Sequence, residues 1–284
     1  MSLKQALRKA ETLFASRSIP DARIEAELLL RHSLGIDKVE LYAGLERPLS
    51  SPEADGFWCL VERRLRHEPT AYILKQCQFY GIDLYVDSRA LIPRPESEML
   101  VEMALEFAGR HFPSNAPCSL ADVGTGSGAI AIAVAWHLRR AKVYAMDISA
   151  EALEVARINC ERHGVEGQVN LLLGDMLRPL PERVNIIAAN LPYVRDEELP
   201  QLMLEIREFE PLQALAGGFD GLDQVRRLLS QAEERLLPGG LILLEIGQGQ
   251  SAEARRLAKA CFPEADVDLV PDLAGIDRVL RVLT

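Results

Sequence analysis

Ser119-Leu-Ala-Asp122-Val-Gly124-Thr125-Gly126-Ser127-Gly128-Ala-Ile-Ala-Ile-Ala133 decides the fold. A short apolar run ends at Asp122 and Val123, glycines follow at alternate positions, and an Ala/Ile-rich run comes next. That is the pattern of a strand, a tight turn and the start of a helix. Gly124, Gly126 and Gly128 let the backbone take φ > 0 and come close to a ligand. The free N–H groups that open the helix face the same ligand. Gly124, Gly126 and Ala129 also satisfy the dinucleotide-binding spacing. The loop therefore predicts an adenosine-bearing cofactor without choosing between NAD and another.

Outward from the loop, strands and helices alternate. Residues 120–123, 142–146, 169–173, 184–189 and 240–246 read as strands. Residues 129–139, 150–163, 221–237 and 252–261 read as helices, and 267–270 and 278–283 as the last strands. Such alternation predicts an α/β fold, a largely parallel sheet with helices on both faces. Ligands of such sheets sit at the carboxyl ends of the strands. Four informative sites fall there: the Gly124 loop, Asp147, Asp175-Met176 and Asn190-Leu191-Pro192-Tyr193.

Upstream, residues 1–75 read as a small helical domain suited to holding a protein substrate. Leu3, Ala6, Leu7, Ala10, Leu13 and Phe14 repeat at three and four, one face of a helix. Asp21 is placed to cap a second helix, and Ser51, before Pro52, a third. Residues 76–92 change period and read as a β-hairpin linker turning near Gly81. The two prolines of Leu91-Ile-Pro-Arg-Pro-Glu96-Ser-Glu98 impose an extended entry, with a helix beginning at Glu96. Residues 93–284 then form the cofactor-binding domain.

The net charge of −10 weighs against nucleic acid as the main partner, because phosphate binding needs a basic face. The five cysteines are scattered without a C-x-x-C and read as buried free thiols, with no metal site expected. No signal peptide and no membrane-length apolar run stand out, so a cytoplasmic enzyme is expected. Glu205, Glu208 and Glu210 read as a solvated acidic face. Residues 195–220 are long and breaker-rich, the composition of a lid.

Asp147 follows the glycine loop at the end of its strand, where a carboxylate accepts hydrogen bonds from ribose hydroxyls. Asp175 is placed to accept from an adenine amino group, with Met176 against the ring. Asn190-Leu191-Pro192-Tyr193 suits a planar, weakly nucleophilic nitrogen. The Asn190 carboxamide oxygen and a backbone carbonyl hold its N–H groups, so that a lone pair points at an incoming methyl. Pro192 stiffens the turn, and Tyr193 stacks on the planar group.

Together these motifs resemble a class I S-adenosylmethionine-dependent methyltransferase with a Rossmann-like sheet. The wider chain resembles the release-factor glutamine N5-methyltransferases, the HemK family. Glu68-Pro69-Thr-Ala-Tyr-Ile, Phe79-Tyr-Gly81, the Leu91–Glu98 segment, Phe209-Glu210-Pro211-Leu-Gln-Ala-Leu215 and Gly218-Phe-Asp-Gly-Leu222 all match. The resemblance implies methylation of the glutamine in the Gly-Gly-Gln loop of peptide chain release factors. It implies S-adenosylmethionine bound by Gly124, Thr125, Gly126, Ser127, Gly128, Asp147, Asp175, Met176 and Asn190. Asn190 and Tyr193 would be catalytic, with Leu191 and Pro192 completing the substrate site. Leu191 stands where that family usually has proline. Asn-Leu-Pro-Tyr is also the form seen in ribosomal RNA adenine dimethyltransferases, so an adenine N6-methyltransferase acting on RNA or DNA is the alternative.

Overall fold

The computed structural model describes residues 1–112 and 117–284. They divide into two units, Met1–Gln76 with Met203–Phe209, and Cys77–Leu202 with Glu210–Thr284.

The first unit contains α1 (Leu3–Ser16), α2 (Ala22–Leu34), α3 (Lys38–Ala43), α4 (Ser51–Leu65) and α5 (Thr70–Leu74). Leu3, Ala6, Ala10 and Phe14 of α1 share one core with Leu29 and Leu30 of α2 and Phe57 and Val61 of α4. Capping boxes at Ser2, Asp37 and Ser50 start α1, α3 and α4. The cap of α4 is thus Ser50, not Ser51. The reciprocal partner must lie three residues on, and Glu53 fills that place for Ser50, whereas Ser51 would be offered Ala54. Asp21 precedes α2 but makes no side-chain cap. Its backbone is left-handed, whereas the three working caps are extended and aim their side chains at the first turn.

A cation is buried in this unit. The Arg64 side chain is 2% exposed; its Nε donates to Glu25 at 3.1 Å, and its Nη2 lies 3.1 Å from Glu205. The Thr70 hydroxyl donates to the same Glu25 oxygen. Glu205 is therefore an ion-pair partner rather than part of a solvated face. Breaking a buried ionic cluster by removing one member is strongly destabilising, so Arg64→Ala should lower stability by about 3 kcal/mol, measured by urea denaturation.

The second unit opens with a hairpin of β1 (Cys77–Phe79) and β2 (Ile82–Leu84), paired antiparallel. Tyr80 and Gly81 both have positive φ, the twist a two-residue hairpin turn requires. After an extended segment, Pro95–Ser97 make one 3₁₀ turn, and α6 (Glu98–His111) begins two residues later than Glu96. Then follow β3 (Cys118–Val123), α7 (Ala129–His137), β4 (Ala141–Asp147), α8 (Ala150–His163), β5 (Val169–Leu173) and β6 (Val184–Ala189). The chain continues with α9 (Leu204–Phe209, in the first unit), α10 (Asp223–Arg235), β7 (Leu236–Glu245), α11 (Ser251–Cys261), β8 (Asp266–Pro271) and β9 (Asp277–Leu283).

The sheet order is β5-β4-β3-β6-β7-β9-β8, parallel through β7, with β9 antiparallel to both neighbours. Period-two alternation sends Leu120, Val143, Ile186 and Leu243 to one face, with α6 and α7, and Ala121, Tyr144, Ile187 and Leu244 to the other, with α10 and α11. Strand order reverses between β3 and β6, which creates a crevice at their carboxyl ends. β7 starts at Leu236, before the Pro238-Gly-Gly240 break. Leu236 already pairs with Val184, and the pairing shifts register before Ile186 and Leu241. The 195–220 stretch is partly regular: it holds α9, two 3₁₀ turns and a parallel bridge between Val194 and Ala216. Cys118 and Cys160 are buried, but Cys59 is exposed. Among the described residues no helix is long and apolar enough to cross a membrane.

Candidate active site

Sheet register brings the strand ends together. Val123 lies opposite Met146 on one side and Ala189 on the other, and Ala189 lies opposite Leu244. The next residue of each strand or loop is Gly124, Asp147, Asn190 and Glu245. A cleft of about 260 Å³ opens over the first three. Gly124, Gly126, Asp147, Asp175, Met176, Asn190, Leu191 and Pro192 line it, with Leu91 and Ile148. Thr125, Ser127, Gly128 and Tyr193 are not part of its lining. Among the described residues no group of three or more His, Cys, Asp or Glu is placed to hold a metal.

The loop is held from below. Asp122 is fully buried; its Oδ2 accepts from the Thr125 hydroxyl at 2.6 Å and from the Ala131 N–H at 3.1 Å. Burial pushes its pKa up to about 7, opposed by those two hydrogen bonds and assisted by Asp147. The Ser127 carbonyl accepts from Asn159, itself buried on α8. Gly128 caps α7 in the left-handed region, and a Cβ there would lie 2.8 Å from Ile132 and 3.2 Å from Ala156. Thr125, Ser127 and Gly128 thus shape the loop, while Gly124 and Gly126 present backbone to the cleft. Gly124 has φ +73, and a Cβ there would come within 3.2 Å of Leu191.

Asp147 accepts from Gly126 N–H and Ser149 N–H, both at 2.9 Å, which locks its carboxylate across the loop. Burial raises its pKa against those backbone bonds. Capping of α8 falls to the Ser149 hydroxyl. Asp175 accepts from Arg227 through both oxygens, at 2.6 and 2.7 Å. Met176 follows it with φ 52.

The Asn190 carboxamide donates from Nδ2 to Ser97 Oγ at 2.8 Å. Leu191 is buried, with its side chain against the glycine loop. Tyr193 is positioned from behind: its carbonyl accepts from Gln250 Nε2 at 2.9 Å. Burial and then the Glu245 charge hold its phenol well above the ordinary range. Glu210, expected on the surface, is buried and binds Arg94 through both oxygens at 2.6 and 2.7 Å. Glu208 alone of the three glutamates is exposed.

Sequence reading missed Ser97, Glu245, Gln250 and the Arg94–Glu210 pair. Glu245 left one signal, a lone charge at the end of the apolar run Leu241-Ile-Leu-Leu. The others are set by contacts between segments far apart in the chain.

Residues 5–74 match the family described as PrmC N-terminal domain, and residues 98–206 match the Methyltransferase small domain. A release factor glutamine methyltransferase of Moorella thermoacetica is 40% identical over 282 residues, 98% of this chain and 97% of that protein. One of Thermodesulfovibrio yellowstonii is 40% identical over 258 residues, 90% of each chain. A methyltransferase structure from Pyrococcus furiosus, 18% identical, superposes with a TM-score of 0.53 over 78% of this chain and 98% of that one, which shows the class I methyltransferase fold. The chain belongs to the release factor glutamine methyltransferase family.

Proposed function

We propose that the protein transfers a methyl group from S-adenosylmethionine to the side-chain amide nitrogen of a glutamine in peptide chain release factors. The observation that carries this reading is the position of Asn190-Leu191-Pro192 in the cleft beside the Gly124 loop at the reversal of strand order, with Tyr193 the next residue of the chain. The chain's relatives carry the substrate's name.

The residues present fit the cofactor. Asp147, fixed by two backbone N–H groups, offers carboxylate lone pairs to a ribose. Met176, Ile148 and Leu91 would supply apolar walls for an adenine ring, and Asp175 a carboxylate acceptor beside them. Gly124 and Gly126 let the methionine portion approach the backbone. When bound, S-adenosylmethionine supplies an electrophilic methyl on a positively charged sulfur.

The chain's own residues do the rest. An amide nitrogen is a poor nucleophile because its lone pair is delocalised into the carbonyl. The Asn190 side-chain oxygen and the Leu191 carbonyl accept its two N–H groups and turn the lone pair toward the methyl. Pro192 restricts the turn, and the Tyr193 ring fixes the amide plane. Transfer would leave the S–C electron pair on sulfur, and the methylated amide, held by Asn190 and Leu191, would release one proton to solvent. Alignment supplies most of the acceleration, since effective molarities reach about 10⁵–10⁸ M. The Leu191 side chain is used in packing, and its carbonyl serves as a proline's would, so the departure from the family's usual residue leaves the amide reading intact.

Incubation with labelled cofactor and a release factor tests this. Label should enter the release factor and be lost when its loop glutamine is changed to Ala. Equal labelling of both would refute the reading. Gly124→Ala would force a side chain into the left-handed region, which costs about 1–2 kcal/mol, and press on Leu191. Titration should show S-adenosylhomocysteine bound about tenfold more weakly or worse.

A further inference from the structure

We infer that Ser97 and Glu245 form a relay that sets which end of the Asn190 carboxamide faces the substrate. The inference rests on the amide-methylation reading above and assigns positioning residues that lie outside the motif itself.

The chain of bonds runs from the cleft into the protein. Asn190 Nδ2 donates to Ser97 Oγ at 2.8 Å, and Ser97 Oγ donates to Glu245 Oε2 at 2.5 Å. The charge of the same glutamate, after burial, raises the Tyr193 phenol. Ser97 is 4% exposed and Glu245 2% exposed. Three separate elements contribute: Ser97 from the 3₁₀ turn before α6, Glu245 from the end of β7, and Asn190 with Tyr193 from beyond β6. Sheet register makes Asn190 and Glu245 lateral neighbours, because Ala189 and Leu244 are paired.

The direction of this chain follows from donor counting. A carboxylate only accepts hydrogen bonds. A serine hydroxyl has one hydrogen. With that hydrogen committed to Glu245, Ser97 can only accept from Asn190, so the NH₂ end of the carboxamide turns inward. The oxygen is then the end presented to the cleft, where an amide acceptor needs its own N–H groups held. The reverse orientation would set two N–H groups against each other. Burial, joined by the Glu96 charge, raises the Glu245 carboxyl, while the Ser97 hydrogen bond and Arg278 favour the carboxylate form that this donor count uses. Arg278 and Arg94 both act on Tyr193.

The test uses the full chain with labelled S-adenosylmethionine and a release factor. The variants are Ser97→Ala, Glu245→Met, the double variant and Ser97→Thr. Glu245→Met keeps the volume and removes the charge, so it holds its fold where a buried unpaired group would not. Freed from Glu245, Ser97 can turn its hydrogen to the Asn190 oxygen. Both single variants should lose about 10²-fold in kcat, the size of effect that a small misplacement at the reacting atoms produces. KM for the release factor and the Kd for S-adenosylhomocysteine should stay within about threefold, since a loss confined to kcat marks an interaction made in the transition state. Ser97→Thr, which restores the hydroxyl, should recover most of the rate. The double variant should be no slower than the slower single one, because members of one unit are not additive.

An undiminished kcat in both single variants would overturn the relay. So would losses that multiply in the double variant, or losses of cofactor affinity that parallel the loss of rate. Equal labelling of the release factor and its Gln-to-Ala control by the wild-type protein would sink the functional reading alone. Specific wild-type labelling with an intact Glu245→Met rate would sink the relay alone.

Discussion

Asn190→Ala should lower kcat for methyl transfer by about 10²–10³-fold, the loss typical of removing one preorganised polar group from a reacting centre. Asn190 is one of the residues lining the cleft, so binding of S-adenosylhomocysteine should weaken far less than kcat falls, with Gly124, Gly126, Asp147 and Met176 still lining it. Asn190 is held by a buried hydroxyl, so its oxygen is already in place before substrate arrives and little reorganisation accompanies reaction. Truncation removes that fixed acceptor and admits water, which offers both donors and acceptors and selects no orientation. Asn190→Asp should be nearly as slow. An aspartate cannot donate to Ser97, whose one hydrogen is committed to Glu245, so the two oxygens repel and the side chain turns away. Single-turnover rates measured with pre-bound cofactor separate this loss from binding. Rates for either variant within about threefold of wild type would remove Asn190 from the chemistry.

These expectations depend on two kinds of information, of which the sequence carries one well. The Gly124 loop, Asp147 and Asn190–Tyr193 were legible because each ends a strand, and the alternation of strand and helix orders those ends along one sheet edge. Helix α8 and strands β5 and β6 fall where periodicity places them, since cap, glycine stop and apolar run agree there. The support beneath the site was not legible. Ser97 reads as an ordinary helix-start serine, yet its hydroxyl points at Glu245, 148 residues further along the chain. Glu205 and Glu210 read as surface charge, because polar residues in a breaker-rich stretch normally are. Their partners Arg64 and Arg94 lie far upstream, and no local pattern connects them. Local rules failed in a milder way at Asp21, Ser51 and Leu236. A backbone conformation, a residue three places on and a strand partner, respectively, decided those positions.

Asp122 shows how a residue read only as the last part of a strand can set the pH response of the whole loop. Its pKa is pushed up to about 7, first by burial. The group therefore holds its proton more tightly in the folded chain than in the unfolded one, where a value near 3.8 applies. Below about pH 4 both states are protonated, and the fold carries no charge there. As pH rises toward 7, the unfolded chain gives up its proton and the folded chain keeps it, so stability falls. Above 7 both are ionised, and the fold bears the full difference, about 4 kcal/mol at about 1.4 kcal/mol per tenfold change. Asp122→Asn removes this dependence. Its carboxamide oxygen can still accept from Thr125 and Ala131, so the loop stays anchored. Its NH₂ takes the place of Oδ1, which has no hydrogen-bond partner, and adds an offset that does not vary with pH. The stability of the variant minus that of wild type should thus rise by about 2 kcal/mol between pH 5.5 and pH 8, read by urea denaturation of both proteins in matched buffers. Titrating groups that do not interact with Asp122 are common to the pair and cancel, and Asp147, whose charge helps raise Asp122, is the one coupled neighbour. A difference that stays flat across that range would mean that Asp122 is ionised throughout. The loop would then be anchored by a buried anion, and its Thr125 and Ala131 contacts would be charge-assisted at every working pH.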